Sequence, residues 1–426
     1  MTVIMRNTLK LSVLILMQVI VLLIVADIGL HYTSYNHFGR SFDNDRRFFY
    51  TYDSALGYDM AISAPLLERE TPSGVKYKAW TNNIGCYDHE YAANQDYILL
   101  VGDSFTESTA PFDKKWGTLL EKLLKHRVLK CGIVGYGTKA ELMKANKTID
   151  RTGKSPKLII VGYYMNDLEN DYIFPSATVI DGYFMSTKML NRTTGAIEGY
   201  PVQSIDYIKW QRDYCSDEPV TGHYNKIIKR TGCYLSRNSI ILNMMKKAKE
   251  RISEMVQNMP GDNDRHTILP VQMDISFFPS DHGWILENKL WNNHFANIKE
   301  FQKLAMHHNA KLLFVLIPTR EQVYPYLLSK QYRNSINLFQ PNEILAEFFR
   351  RESIGYLDLL PLFSEFADKT ERNHLDNEKD LYWRNDSHWS NKGDRLASVF
   401  VAKKLIESGI ITSGDSKRIL AELNNF

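Results

Sequence analysis

Three short apolar runs constrain this chain more than any other feature: Tyr97-Ile98-Leu99-Leu100-Val101, Leu158-Ile159-Ile160-Val161 and Leu312-Leu313-Phe314-Val315-Leu316-Ile317. Each is bounded by Gly, Pro or Asp, as strands buried on both faces are. Between the first two, residues 116–124 and 139–149 have helical spacing and enclose a further apolar piece, Val128-Leu129-Lys130-Cys131. That order of strand, helix, strand, helix, strand predicts an α/β fold with a parallel sheet and helices on both faces. A helix over about 286–308 returns the chain to the third run, a short strand is expected at Gly355-Tyr356-Leu357-Asp358, and 391–406 reads as the last helix. In such a sheet, ligands are held by the loops beyond the carboxyl ends of the strands.

Outside the sheet, the stretch 11–30 is apolar enough and long enough to cross a hydrocarbon core of about 30 Å as a helix. Signal-peptide cleavage is the competing reading, but no small-x-small site follows Ala26. The expectation is therefore a cytoplasmic tail and transmembrane signal anchor over 1–30, with the body outside the cytoplasm. Arg6 and Lys10 precede the span while Arg40, Arg46 and Arg47 follow it at a distance. Asp27 lies near the exit end, within reach of lipid headgroups. A stem and entry layer (31–96), a first core part (97–175), an insertion or cap (176–295) containing a helical stretch near 240–255, a second core part (296–410) and a tail (411–426) complete the organisation.

The 52 Lys and Arg against 49 Asp and Glu, a net charge of +3, leave no basic stripe for nucleic acid. With 12% aromatic residues the chain can bury enough apolar surface to fold. Of the four cysteines, Cys131 follows an apolar segment and reads as a buried thiol, while Cys215 and Cys233 flank a polar stretch where a disulfide is plausible outside the cytosol. No C-x-x-C pair, H-E-x-x-H, P-loop or dinucleotide fingerprint is present, so neither a metal nor a cofactor is expected.

Four blocks at strand ends carry chemistry. Gly102-Asp103-Ser104-Phe105-Thr106-Glu107 follows the first run, where Gly102 permits a tight turn and Ser104 starts a helix; a plain N-cap is the alternative. Gly132-Ile133-Val134-Gly135-Tyr136-Gly137 follows the next strand and can bring backbone N–H groups close to a ligand. Asn166, in Gly162-Tyr163-Tyr164-Met165-Asn166-Asp167, has an amide that can donate to an oxyanion. In Asn385-Asp386-Ser387-His388-Trp389, His388 can take a proton from a serine hydroxyl, with Asp386 fixing its tautomer.

In this order the four blocks resemble those of the SGNH hydrolases, the GDSL-type esterase and lipase superfamily, over about 97–170 and 311–405. The resemblance implies a three-layer α/β/α, flavodoxin-like sheet. It also implies Ser104 as nucleophile, His388 as base with Asp386, and an oxyanion hole from Ser104, Gly135 and Asn166. One departure is the spacing: the superfamily usually has Asp-x-x-His, whereas here Asn385 stands at minus three and Asp386 at minus two. The Asp-x-His-Trp form, Ile317-Pro318-Thr319-Arg320-Glu321 and Thr81-Asn82-Asn83-Ile84-Gly85 resemble the branch of alginate O-acetyltransferase-like envelope proteins. That resemblance implies the periplasmic or extracellular side of a bacterial inner membrane for the body.

The implied chemistry is acyl transfer through an acyl-enzyme on an acylated carbohydrate or other ester, ending on water in an esterase or on a sugar hydroxyl in an O-acetyltransferase. A lipase-like esterase and a catalytically idle glycan-binding or assembly module are the alternatives. Tyr136, Tyr163, Tyr164 and Trp389 could offer flat faces to a sugar, core packing being the alternative for each, and Arg320 could bind an anionic group or form an ion pair.

Overall fold

The computed structural model describes residues 2–30, 49–180, 182–191, 196–199, 239, 241, 245, 288–328, 333, 337–370, 375–384, 386–411, 419 and 421–423. The chain divides into two compact units, 1–44 with 201–265, and 45–200 with 266–426.

In the first unit a helix, α1, spans Thr2–Leu30. Its described side chains begin at position 14 and include exposed Leu14, Leu22, Val25 and Ile28. Among the described residues no helix is long and apolar enough to cross a membrane, so the expected span is not found there. Asp27, expected to reach toward headgroups, is instead buried, and its Oδ1 accepts the Ser239 hydroxyl at 3.1 Å and the Ile241 N–H at 2.8 Å. The helical stretch expected near 240–255 lies outside the described residues apart from 241 and 245.

The second unit opens with two antiparallel hairpins, β1 (Tyr50–Asp53) with β2 (Gly57–Met60) and β3 (Leu67–Glu70) with β4 (Lys76–Ala79). The alternating core follows: β5 (Ile98–Gly102), α2 (Ser104–Glu107), α3 (Trp116–Leu124), β6 (Val128–Lys130), α4 (Thr138–Thr152), β7 (Leu158–Tyr163) and α5 (Asn166–Tyr172). Two small hairpins, β8 (Ala177–Ile180) with β9 (Tyr183–Ser186) and β10 (Lys188–Leu190) with β11 (Ile197–Gly199), occupy the start of the expected cap. The chain then gives α6 (Asn288–His307), β12 (Lys311–Leu316), α7 (Arg320–Val323), α8 (Gln340–Arg351), β13 (Tyr356–Asp358), α9 (Leu360–Phe366) and α10 (Asn391–Glu407).

Five strands pair in parallel in the order β13-β12-β7-β5-β6. Period-two alternation divides the buried runs between two faces. Ile98 and Leu100 pack with Trp116 and Leu120 of α3 and Leu396 and Val401 of α10, while Leu99 and Val101 pack with Ala145 and Ile149 of α4 and Ile298 and Phe301 of α6. Full burial of each such side chain contributes roughly 1.5–3 kcal/mol. A third core under the hairpins joins Phe49, Tyr50, Tyr58 and Met60 to Ile133, Tyr136 and Ala140.

From β5 the chain steps to β6 on one side and then crosses to β7 on the other, so strand order reverses at β5. A crevice opens at such a reversal, beyond the strands' carboxyl ends.

Cys131 is not a thiol: it forms a disulfide with Cys86, fixing the segment after β4 to the end of β6. The two Cα atoms lie 4.6 Å apart, a spatial proximity that a sequence separation of 45 does not reveal. Cys215 and Cys233 lie outside the described residues.

Candidate active site

The turn from β5 into α2 is set by close approach. Asp103 caps α2, its Oδ1 accepting the Phe105 N–H at 2.9 Å, and Ser104 is the first helical residue. One turn on, the Thr106 side chain sits among Gly102, Gly132 and Gly162 at the ends of three adjacent strands. A Cβ at those glycines would come within 2.1, 2.5 and 2.4 Å of Thr106 atoms, closer than any side chain tolerates. Three glycines thus let the short helix lie directly on the sheet edge, with Ser104 presented above it.

His388 reaches Ser104 from the far end of the chain, with Nε2 2.8 Å from Oγ. Its Nδ1 is hydrogen-bonded to Asp386 Oδ1, which also accepts the His388 N–H at 2.8 Å. Burial alone would raise the Asp386 carboxyl, but the His388 contacts and the charge of Arg320 outweigh it and hold it below its ordinary value. The shorter Asp-x-His spacing therefore still places a carboxylate on the imidazole; Asn385 lies outside the described residues. The His388 ring packs on Phe105, centroids 4.9 Å apart, and its loop is braced by the Trp383 N–H to the His388 carbonyl at 3.1 Å and the Ser390 N–H to the Leu381 carbonyl at 2.9 Å. Asp394, at the start of α10, accepts the Trp116 N–H at 2.9 Å and ties this loop to the first residue of α3.

At the ends of the neighbouring strands stand the other two residues singled out. Gly135 has φ +74°, and its N–H donates to no atom of the described residues. Asn166 opens α5 directly after β7, partly buried, with its Oδ1 unpartnered among the described residues. Asp103 lies beneath them: burial pushes its carboxyl up to about 6, against the opposing pull of the Phe105 amide, His388 and the Asn166 and Ser104 side chains.

Five residues read as candidate substrate contacts sit differently. Tyr136, Tyr163, Tyr164 and Trp389 are 1%, 1%, 3% and 2% exposed, packed in the cores with no face open to a ring. Arg320 is also buried; it pairs with Glu321 at 2.8 Å and donates to the Asp386 carbonyl at 3.4 Å, so it holds the acid's loop instead of an outside anion. Core demand for large apolar volume explains the aromatics. Among the described residues no group of His, Cys, Asp or Glu is arranged to hold a metal ion.

Sequence reasoning passed over Glu107, Arg69, Tyr50 and Tyr58. The Glu107 carboxylate, 2% exposed, accepts Arg69 at 2.7 Å, the Tyr50 hydroxyl at 2.6 Å and the Val134 N–H at 2.9 Å, while the Tyr58 hydroxyl donates to the Val134 carbonyl at 2.5 Å. The one available signal was the position of Glu107 within the same block as Ser104.

Comparison with known proteins follows the same lines. Residues 280–422, which contain β12, Asp386, His388 and α10, match the family model described as the SGNH hydrolase-like domain of the acetyltransferase AlgX. Among solved structures, a GDSL-like lipase from Bacteroides thetaiotaomicron is 10% identical, with 74% of this chain and 89% of that one covered at a TM-score of 0.32. An acetyl xylan esterase is 13% identical, with 73% and 98% covered at a TM-score of 0.34. No curated protein sequence matches. Residues 280–422 thus carry an SGNH hydrolase-like domain of the AlgX type, a domain of ester hydrolases and acyltransferases.

Proposed function

We propose that this enzyme transfers an acyl group through Ser104, with an O-acylated cell-envelope glycan as its substrate. The observation that carries the reading is the continuous Asp386–His388–Ser104 hydrogen-bond chain, with Nε2 2.8 Å from Oγ. His388 takes the Ser104 proton as Oγ attacks the ester carbonyl, and Asp386 stabilises the imidazolium. The oxyanion is received by the Ser104 and Gly135 N–H groups and the Asn166 amide, each donor worth about 3–4 kcal/mol in the transition state. Collapse expels the alcohol, protonated by His388, and leaves an acyl-serine. Water attacking that ester regenerates Ser104 and releases an acid. A sugar hydroxyl attacking it gives an O-acyl sugar, a second reading favoured by the family model's description as an acetyltransferase.

The apolar stretch 11–30 and the exposed apolar side chains of α1 support a membrane tether. The Cys86–Cys131 disulfide supports a body in an oxidising compartment, the periplasmic or extracellular side. Partition of the full chain into the alkaline-carbonate pellet tests the tether, and release into the supernatant would remove it.

The test of the activity uses the full chain in detergent with 4-nitrophenyl acetate, with and without an oligosaccharide acceptor. Turnover is expected to vanish in Ser104→Ala, and acetylated oligosaccharide would select transfer over hydrolysis. Equal rates for folded wild type and variant would overturn the assignment of Ser104.

A further inference from the structure

The loop after β6 is a reverse turn over Ile133, Val134, Gly135 and Tyr136, closed by the Tyr136 N–H on the Ile133 carbonyl at 3.2 Å. Gly135 is its third residue, and φ +74° there makes the turn type II. Types I and II share their ends and differ by a flip of the central peptide, which here consists of the Val134 carbonyl and the Gly135 N–H. That peptide is trans, because the one cis bond among the described residues is Phe174-Pro175. Carbonyl and N–H therefore point in opposite directions. Whatever binds the carbonyl decides where the N–H faces.

We propose that Tyr58 is a positioning residue for the oxyanion hole, its hydroxyl selecting the turn that aims the Gly135 N–H away from the hairpin layer. The inference rests on the serine-enzyme reading above. Tyr58 Oη donates to the Val134 carbonyl at 2.5 Å from β2, 76 residues away in sequence. The turn in turn grips Tyr58, the Tyr136 hydroxyl donating to the Tyr58 carbonyl at 2.6 Å. Glu107 Oε2 takes the Val134 N–H at 2.9 Å and fixes the preceding peptide. Both backbone groups of Val134 are thus held from the nucleophile's helix and the N-terminal hairpin, and the Gly135 N–H is left without a partner among the described residues. Without the phenol, a type I turn is open to the same sequence, with the Gly135 N–H turned out of the site.

The experiment is Tyr58→Phe, which removes the donor and keeps the ring, assayed beside Ser104→Ala in the full chain. Loss of one oxyanion donor typically costs about 10²–10³ in kcat; partial occupancy of the flipped turn predicts a fall of roughly 10- to 100-fold, with KM within about twofold. Affinity for a trifluoromethyl ketone, whose adduct carries the oxyanion, should fall by the same factor as kcat. A role in packing alone would lower the denaturation midpoint and leave that affinity unchanged. Tyr136→Phe loosens Tyr58 indirectly and should give a smaller, equally KM-neutral fall; it is the readout if Tyr58→Phe does not fold. Wild-type kcat in a folded variant, or a fall in kcat with unchanged ketone affinity, overturns the inference. If Ser104→Ala equals wild type, the serine-enzyme reading itself fails; if Ser104→Ala is inactive and Tyr58→Phe is normal, only the positioning role fails.

Discussion

The Asp386–His388 loop and the turn over 133–136 meet at one sheet edge but are built in opposite ways. In the loop, Asp386 and His388 are two residues apart and the carboxylate binds both the ring and the backbone of its partner, so one local segment makes a complete unit. The turn over 133–136 is held from outside, by Tyr58 and Glu107. A short-range unit can be recognised from sequence spacing, whereas a turn whose orientation depends on a distant hydroxyl cannot. The loop should fail in its chemistry when altered, and the turn's support should fail in stability as well.

The largest separation of these behaviours is expected from Asp386→Asn. Partly buried and bonded within its own loop, this residue can change with little loss of fold, while the wrong imidazole tautomer lowers kcat by about 10²–10⁴; steady-state kinetics beside a urea melt measure both. Comparable loss of stability would place Asp386 with the structural carboxylates. Glu107→Gln should show the converse mixture. It leaves Arg69 buried without its counter-charge, a change that costs roughly 3–5 kcal/mol, read as a shift of the urea midpoint accompanied by lower kcat. A midpoint unchanged by this substitution would mean that the hairpin layer does not depend on the pair.

Asp394 sharpens the comparison through pH. Burial pushes its carboxyl up to about 8, despite the opposing pull of the Trp116 amide, Lys115 and His388. Because the folded pKa lies above the unfolded one, the native state binds the extra proton, and stability from this group falls as pH rises from about 4 through about 8. Asp394→Asn should flatten that part of the stability profile, and an unchanged slope would assign the pH dependence to other groups. The smallest effect is expected one residue from Arg69, at the exposed Glu68–Lys76 pair. Glu68→Gln should leave both midpoint and kcat unchanged within error, since the counter-charge there is water-screened.

Legibility followed the same physical division. The five-strand sheet announces itself because strands buried on both faces must be apolar throughout, and the observed β5, β7 and β12 fall within one or two residues of the runs 97–101, 158–161 and 312–317. The hairpins β1 to β4 gave no such signal: Tyr-Thr-Tyr-Asp, Gly-Tyr-Asp-Met, Leu-Glu-Arg-Glu and Lys-Tyr-Lys-Ala are four-residue strands with no apolar alternation. Their burial depends on tyrosine hydroxyls and charges meeting partners far along the chain. Ser104, Gly135, Asn166 and His388 could be singled out because each sits at a strand end or near a helix start, where ligands are held in such a sheet. The Cys86–Cys131 bond and the supports of the oxyanion turn are properties of proximity that no local window contains.

The sequence separation of 284 from Ser104 to His388 also sets a clock. At about 5–20 residues per second, a nascent chain makes its serine tens of seconds before the histidine that activates it. With the proposed roles, the first turnover therefore waits for His388, and a chain cut short anywhere before residue 388 carries Ser104 with no base to arm it.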